Sequence, residues 1–288
     1  MNRLITILLL MFNISFGGSE HLFVANEKYG WAMQPNHQGV YKFDDKIETV
    51  IKSNSYGFRD SEWDSTGEKI AVLGDSFVIG LGVEKPFTEY LQDSVKCEVM
   101  NFGMNGYSPL QEKMILEDIV LSFRPKIVIL CIYVRNDFDD LACLNWIADF
   151  KRPYLENGLI KYKEPSLIDK AGIFFRDWPE KRHSEGFYFS EMQNIINDIY
   201  RLTILNGTEF ILLIAPSIII VSDKNREIIK EKYGNIDIDR PVRFLQSLGY
   251  STILPDLTEK DYLANQHWND FGHKKVANDL YNKIRTMK

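Results

Sequence analysis

Four short segments hold the residues whose chemistry is most informative. Ser76 directly follows an apolar run in "LGDSFVIGLG", "NFGMNGYS" carries Gly103 and Gly106, "YVRNDFDD" carries Asn136, and "NQHWNDFGH" carries His267. A serine hydroxyl becomes a nucleophile when a histidine within hydrogen-bond reach accepts its proton. Backbone amides beside glycine and the side-chain amide of asparagine can donate to the negative charge that such an attack creates. The set therefore indicates acyl transfer through a serine–histidine pair.

Ser76 admits two other interpretations. Serine is a common N-cap of a helix, where its hydroxyl accepts a backbone N–H. Gly74, Gly80 and Gly82 could instead form a phosphate-binding loop, but their spacing does not fit G-x-x-x-x-G-K-[ST] and no lysine follows them directly. In the catalytic interpretation the N–H of Ser76 lies at a helix start, where partial positive charge stabilises an oxyanion.

Continuous apolar runs rich in β-branched residues predict the strands that position these segments. The runs span 69–74, 97–103, 126–134 and 209–216, with a weaker one at 251–257 and helical patterns at 108–123 and 184–207. This alternation predicts an α/β fold with a parallel sheet, right-handed crossovers and helices on both faces. Sites in such sheets lie beyond the carboxyl ends of the strands. His267 follows the last strand, so it can reach the edge to which earlier strands deliver Ser76 and Asn136.

In this order, "GDSF" (74–77), "NFGMNG" (101–106), "ND" (136–137) and "HWNDFGH" (267–273) resemble the motifs of the SGNH (GDSL-type) hydrolases. The resemblance covers about residues 69–288, and "NSYGFRD" (54–60) resembles a segment that often precedes the first motif in exported bacterial members. It implies a flavodoxin-like three-layer α/β/α sandwich and no metal or organic cofactor.

The resemblance also implies a role for each motif residue. Ser76 would be the nucleophile and His267 the general base. The oxyanion hole would consist of the backbone N–H groups of Ser76 and Gly106 and the side chain of Asn136. Val134 stands where the family usually has glycine, a minor departure because Asn136 is the functional member of that motif.

Asn265 is the larger departure, because the family usually carries an aspartate two or three residues before the histidine, where this chain has Asn265 and Ala264. The orienting group must accept a hydrogen bond from Nδ1–H of the imidazole, so that Nε2 is free to take the serine proton. An amide can accept this bond, but it can also donate, and it cannot offset the imidazolium charge. In serine proteases the change from aspartate to asparagine lowers kcat by about 10⁴-fold.

We therefore expect either the Asn265 side chain or a backbone carbonyl to orient His267, with modest, dyad-like activity. Two nearby acids are less suited to this role. Asp270 fits a helix cap, as does Asn269, and Asp261 would need a loop to fold back. His273, six residues after His267, is expected to pack or to face solvent.

The N-terminus, "MNRLITILLLMFNISFGGSE", has a positive start, a short apolar run and then small residues. This order predicts a cleaved signal peptide over residues 1–18, with a first buried strand or helix as the alternative. The apolar run is too short to span a bilayer, which needs about 20 residues. We expect export to the periplasm or the exterior, without a stable membrane anchor after cleavage.

The chain has 288 residues, and its net charge of -6 argues against a nucleic-acid-binding surface. Cys97, Cys131 and Cys143 include no C-x-x-C pair, which argues against a zinc site, and they allow at most one disulfide. We expect an N-terminal extension over 19–67 that wraps the core, and a hydrolase domain over 68–288. Residues 138–183 are expected to form an insertion or lid, and no oligomeric state is predicted.

Two hypotheses follow for the function. The first is a serine esterase or acyltransferase that forms an acyl-enzyme at Ser76 and takes a small-molecule, lipid or glycan ester. Aromatic residues in the insertion, Trp146, Tyr154 and Trp178, would suit an acylated glycan. The second is a catalytically silent relative that binds a glycan or an envelope partner, and Asn265 is the feature that favours it.

Overall fold

The computed structural model describes residues 22–44, 47–64, 66–143, 150–164, 179–186 and 188–287. The predicted signal peptide lies outside this part of the chain. The strands are β1 (Phe23–Asn26), β2 (Gly30–Met33), β3 (Gln38–Asp44), β4 (Ile47–Lys52), β5 (Lys69–Gly74), β6 (Glu98–Gly103), β7 (Ile127–Tyr133), β8 (Arg152–Glu156), β9 (Leu159–Lys163), β10 (Glu209–Ala215) and β11 (Thr252–Ile253). The α-helices are α1 (Ser76–Ile79), α2 (Phe87–Ser94), α3 (Pro109–Asp118), α4 (Asp137–Leu141), α5 (Pro179–Ser184), α6 (Phe189–Leu205), α7 (Ile218–Val221), α8 (Asp223–Tyr233), α9 (Arg240–Ser247) and α10 (Asp270–Thr286). Two 3-10 helices span Val120–Phe123 and Glu259–Asp261.

A parallel sheet of five strands forms the centre, in the order β6-β5-β7-β10-β11. Counted along the chain, these strands lie in the order 2-1-3-4-5, which is the flavodoxin-like arrangement. The chain reverses its direction of winding between β5 and β7, so the carboxyl ends of these two strands flank the crevice where such folds bind ligands. The predicted parallel sheet and flavodoxin-like topology are confirmed.

The sheet is buried on both faces because successive side chains of a strand point to opposite sides. In β5, Ala71 and Leu73 belong to the core beneath α3 and α6. Ile70 and Val72 belong to the core beneath α2 and α10. The helices therefore form two outer layers, which confirms the predicted three-layer α/β/α sandwich and explains why the strands read as continuous apolar runs.

The strands predicted at 97–103, 126–134 and 209–216 are shorter by one or two residues, and three other predicted elements differ more. The helix predicted at 108–123 ends at Asp118, and Ile119, with φ −125°, leads into the first 3-10 helix. The helix predicted at 184–207 begins only at Phe189, although it ends beside the Asn-Gly stop signal as expected. The weak strand predicted at 251–257 is reduced to Thr252–Ile253.

The residues before the sheet form two antiparallel hairpins, β1–β2 and β3–β4. Leu22, Trp31, Met33 and Ile51 are buried in the same core as α3. Trp31 reaches furthest toward the sheet edge, where its Nε1–H donates to the carbonyl of Asn105 at 3.0 Å. The N-terminal segment therefore contributes to the core and also to the turn that follows β6.

Arg59 connects this segment to the loop after α1. Its guanidinium is buried and donates four hydrogen bonds of 2.6–3.0 Å, all to backbone carbonyls. The acceptors are the carbonyls of Ile79, Gly80, Val83 and Glu84. Burial lowers the pKa of Arg59 to about 10, so the side chain stays charged at neutral pH.

The segment predicted as an insertion begins with α4 and continues with the hairpin β8–β9. Arg152, at the start of β8, is fully buried, whereas Leu155, Leu159 and Ile160 near the hairpin turn are exposed. Trp146 and Trp178, the two tryptophans predicted to suit a glycan, lie outside the described residues, and Tyr154 is half-buried on β8. Within the described ranges, no helix combines the length and apolar character needed to cross a bilayer.

Candidate active site

Ser76 lies where the sequence predicted, at the turn between β5 and α1. Asp75, not Ser76, caps the helix, because its carboxylate accepts the N–H of Phe77 at 2.9 Å. Ser76 is thus the first helical residue, and its N–H belongs to the first turn, whose amides have no acceptor within the helix. Only 9% of the residue is exposed.

His267 approaches Ser76 from the other end of the chain. Its Nε2 lies 2.9 Å from Oγ of Ser76, which is hydrogen-bond distance. The imidazole stacks on the ring of Phe77, with centroids 5.0 Å apart and planes inclined by 26°. A tight loop presents the histidine: the carbonyl of His267 accepts the N–H of Leu263 at 2.7 Å, and Gln266 has a positive φ of 72°.

Burial lowers the pKa of His267 to about 4. The backbone of Asn265 has a smaller effect that raises this pKa. The ring is therefore neutral at pH 7, which is the form that can accept a proton from Ser76. The side-chain oxygen of Asn265 accepts the backbone N–H of His267 at 3.1 Å. Its Nδ2 is buried without a hydrogen-bond partner among the described residues. In this structure the Asn265 side chain therefore supports the loop that carries His267.

The two other acids near His267 are engaged elsewhere. The carboxylate of Asp261 accepts the backbone N–H of Thr258 at 2.8 Å and pairs with Lys275 at 2.7 Å. Asp270 is the first residue of α10, and Asn269 provides the cap by accepting two backbone N–H groups. Neither acid is placed as the orienting carboxylate of a triad.

Gly106 and Asn136 lie beyond the carboxyl ends of β6 and β7, the two neighbours of β5. Gly106, with φ 68°, occupies a turn that is closed by a hydrogen bond from Tyr107 N–H to Met104 O. Asn136 precedes α4, and its Nδ2 donates to Asp140 at 2.5 Å. The contacts of Nδ2 with Asp137 and Asp75 are longer, 3.3 and 3.5 Å. One hydrogen of the Asn136 amide is thus donated to Asp140, and the other has only the longer contacts with Asp137 and Asp75.

A group of buried carboxyls lies behind these residues, and the sequence analysis did not identify it. Asp75, Glu112, Asp137 and Asp140 are each at most 1% exposed. Burial raises the pKa of Asp75 to about 6 and the pKa values of Glu112 and Asp137 well above their ordinary values. The two carboxyl oxygens of Glu112 have no hydrogen-bond partner among the described residues. At neutral pH these shifts favour the neutral form of Glu112 and Asp137, whereas Asp75 is still largely ionised.

Gly103 explains how the end of β6 can approach the helix that carries Ser76. A Cβ at this position would lie 2.2 Å from the backbone nitrogen of Ile79 and 2.7 Å from the carbonyl carbon of Val78. Glycine is thus required here for close packing. Its role is distinct from that of Gly106, which lies in the turn after β6.

The remaining residues of the last motif are structural. Trp268 is fully buried and packs edge-on against Phe77, with centroids 4.8 Å apart. His273 is 1% exposed, and its Nδ1 accepts the N–H of Phe87, the first residue of α2. Of the two outcomes expected for His273, packing is the one observed.

No group of three or more His, Cys, Asp or Glu residues in the described ranges is arranged to hold a metal ion. The three cysteines form no disulfide in the structure, with Cys131 and Cys143 buried and Cys97 half-buried. The residues assembled at this edge offer a hydroxyl, an imidazole, amides and carboxyls.

Comparisons with known proteins give matches among solved structures. No protein-family model and no curated protein sequence matches the chain. A G-D-S-L-family protein from Desulfitobacterium hafniense is 14% identical with a TM-score of 0.43, and the match covers 75% of this chain and 99% of that one. An acetylxylan esterase from Geobacillus stearothermophilus is 15% identical (TM-score 0.44; 76% and 94%). A lipase/acylhydrolase from Enterococcus faecalis is also 15% identical (TM-score 0.46; 76% and 96%). The likeness concerns the fold alone.

Proposed function

We propose that the protein is a serine hydrolase of the SGNH type that cleaves ester bonds through an acyl-enzyme on Ser76. The observation that carries the proposal is the 2.9 Å contact between Ser76 Oγ and His267 Nε2 at the carboxyl edge of a parallel sheet. The flanking positions of Gly106 and Asn136 support it, because an oxyanion there would meet hydrogen-bond donors from both neighbouring strands.

The reaction would proceed in two steps. His267 Nε2 takes the proton as Ser76 Oγ attacks the ester carbonyl carbon, and the carbonyl oxygen becomes an oxyanion. The N–H groups of Ser76 and Gly106 and the side chain of Asn136 donate to that oxyanion. The imidazolium then returns its proton to the departing alcohol, leaving an acyl group on Ser76. In the second step water attacks the acyl carbon, with His267 again as base.

We further propose that a backbone carbonyl takes the place of the usual aspartate. The use of the Asn265 side chain by the loop supports this, because its oxygen already accepts the backbone N–H of His267. A carbonyl can accept Nδ1–H and so hold the productive tautomer, but it carries no charge to offset the imidazolium. The expected enzyme is therefore a slow one.

The test is hydrolysis of p-nitrophenyl acetate and butyrate by the wild-type protein and by Ser76→Ala. We expect slow, saturable release of p-nitrophenol that Ser76→Ala reduces by about 10³-fold or more. Ser94→Ala is the matched control, because Ser94 is exposed and its hydroxyl bonds only the carbonyl of Tyr90. Equal rates in wild type and Ser76→Ala would exclude hydrolysis of simple esters.

Two other outcomes would then remain. A strict acyltransferase would release p-nitrophenol only when a sugar hydroxyl is supplied as the acceptor, and Ser76→Ala would abolish that release. A catalytically silent glycan-binding protein would stay inert with every acceptor, and Asn265 is the observation that favours it. An acylated glycan as substrate and export behind a cleaved signal peptide also remain proposals. N-terminal sequencing of the mature protein tests the cleavage.

A further inference from the structure

Arg152 is a buried cation that the mechanism above does not use. It begins β8, within the segment expected to be an insertion, and it is fully buried. Its Nη2 donates to the carbonyl of Gly106 at 2.9 Å and lies 3.4 Å from a carboxylate oxygen of Asp140. Its Nη1 also donates to the backbone carbonyl of Asp140 at 3.4 Å. One guanidinium thus contacts both sides of the predicted oxyanion hole.

On the β6 side, the contact fixes the peptide that follows Gly106. The preceding peptide is fixed by Trp31, whose Nε1–H donates to the carbonyl of Asn105. In a trans peptide the C=O and N–H groups point in opposite directions, so holding the Asn105 carbonyl toward Trp31 aims the Gly106 N–H away from it. Trp31 also stacks under the guanidinium, with its ring centroid 5.0 Å from Cζ of Arg152.

On the β7 side, the contact acts through Asp140. The carboxylate that pairs with Arg152 also accepts the 2.5 Å hydrogen bond from Nδ2 of Asn136. That bond leaves the second amide hydrogen of Asn136 directed at long contacts only. Without the cation, the buried Asp140 carboxylate would lose its charged partner, and its hold on Asn136 would change.

We propose that Arg152 is a positioning residue for the oxyanion hole, holding the turn that carries Gly106 and, through Asp140, the side chain of Asn136. This inference rests on the proposed function, because it assigns Arg152 to the same site. Through Arg152, the segment between β7 and α6 would contribute to catalysis without moving and without contacting the substrate.

The experiment measures covalent labelling of Ser76 by an alkyl fluorophosphonate, which needs no knowledge of the natural ester. Ser76 Oγ attacks phosphorus, fluoride leaves, His267 takes the proton, and the phosphonyl oxygen occupies the oxyanion hole. Saturation kinetics separate the maximal labelling rate from the half-saturating concentration. The variants are Arg152→Met, which removes the charge, and Arg152→Lys, which keeps it on a group that cannot span both contacts.

We expect Arg152→Met to lower the maximal labelling rate by about 10- to 100-fold, the usual effect of losing a group that orients a reacting residue. The half-saturating concentration should stay unchanged, and Arg152→Lys should recover part of the rate. The control is Arg182→Met. Arg182 also pairs with an acid of α4, Asp139, through its Nε at 3.1 Å. Losing that buried ion pair should cost stability but leave the labelling rate unchanged.

Near-ultraviolet circular dichroism and the Tm establish that each variant is folded. A folded Arg152→Met, or Arg152→Lys where the former does not fold, that labels at the wild-type rate overturns the inference. An equal loss of rate in Arg182→Met also overturns it, because the effect would then follow from losing any buried pair. If the wild-type protein itself resists labelling, the proposed function fails and the inference fails with it.

Discussion

Nε2 of His267 lies 2.9 Å from Oγ of Ser76, although the two residues are 191 positions apart in the chain. The imidazole rests on the ring of Phe77, which is the residue after the serine. The proposed base is therefore packed against the helix that carries the proposed nucleophile, and this aromatic contact helps to hold the two side chains at that separation.

The pH dependence of activity should reflect the environment of His267. Because burial lowers its pKa to about 4, the neutral base persists well below neutral pH, and kcat/KM should fall only below about pH 4. Asn265→Asp adds a negative charge two residues before His267 and should raise that pKa by about 1–3 units. The acidic limb should then move to higher pH, while kcat at pH 8 rises. Stopped assays with p-nitrophenyl acetate from pH 3 to 8 measure both effects.

Asn269→Asp is the control for added charge in the same loop, because Asn269 caps α10 and aspartate is an equally good cap. It should leave kcat at pH 8 unchanged. A wild-type limb near pH 6.5, with no response to Asn265→Asp, would show that His267 is not the base.

The two histidines of the last motif should respond differently to replacement. His267→Leu should lower kcat by about 10³-fold or more, because Ser76 loses its base. His273→Leu should leave kcat unchanged. It leaves the N–H of Phe87 without its acceptor, so the free energy of unfolding should fall by about 1–3 kcal/mol. Urea unfolding and ester hydrolysis on the same samples separate the effects, and a catalytic loss in a folded His273→Leu would contradict the assignment.

Gly103→Ala tests the close approach of β6 to α1. The added Cβ would meet backbone atoms of Ile79 and Val78, so the helix that carries Ser76 must shift. We expect about 1–3 kcal/mol of lost stability and at least a tenfold lower kcat, since catalysis depends on sub-ångström placement. Gly207→Ala is the control, because its φ is 71° but nothing lies within 4 Å of the added atom. It should cost about 1 kcal/mol with kcat unchanged.

Asp75 should make stability depend on pH in a sense that is unusual for a carboxylate. Burial raises its pKa from 3.8 to about 6, so the folded state prefers the protonated form. The stability it contributes is present below about pH 4 and is lost as the pH rises through 6. Two pKa units correspond to about 3 kcal/mol. The free energy of unfolding of Asp75→Asn, taken relative to that of wild type, should therefore increase by about that amount as the pH rises from 4 to 7.

Urea unfolding at both pH values measures this difference, in which the titration of other groups largely cancels. Asp139→Asn provides a control of opposite sign. Burial raises the pKa of Asp139, but hydrogen bonds from His183 and Arg182 outweigh burial and leave it below its ordinary value. Its stability contribution is present above the unfolded pKa, so removing it should harm the protein more at pH 7 than at pH 4. A difference for Asp75→Asn that does not change with pH would contradict the assignment.

The central sheet could be predicted from the sequence because both of its faces are covered. A strand buried on both sides reads as an unbroken apolar run, and "KIAVLG" matches β5 residue for residue. The motif residues follow from the strands, since each lies one to three residues beyond a strand end or before the last helix. The hairpins of residues 23–52 gave no such signal, because their residues alternate between exposed and buried positions only over short lengths.

The supporting residues of the site could not be predicted for a different reason. Trp31 and its acceptor, Asn105, are 74 residues apart in the sequence, and Arg152 and Gly106 are 46 residues apart. No local pattern encodes such distances. Glu112 is a similar case: an acid on a helix normally faces water, and only the packing around α3 makes it a buried carboxyl. For Asn265, the sequence left open whether side chain or backbone orients the histidine, and the structure shows the side-chain oxygen bonded to the backbone N–H of His267.

The hydrogen bonds from Arg59 to the loop after α1 determine which positions of that loop can accept other amino acids. All four of its acceptors are main-chain carbonyls, so the clamp does not depend on which side chains the loop carries. Gly80 and Gly82, with positive φ, are fixed by the shape of the backbone. Leu81 and Val83 are buried and need apolar side chains, so the exposed Glu84 is the position of this loop that is open to substitution in evolution or in a designed library. Arg59 cannot be replaced in this way, because no other side chain has a planar group with five N–H donors.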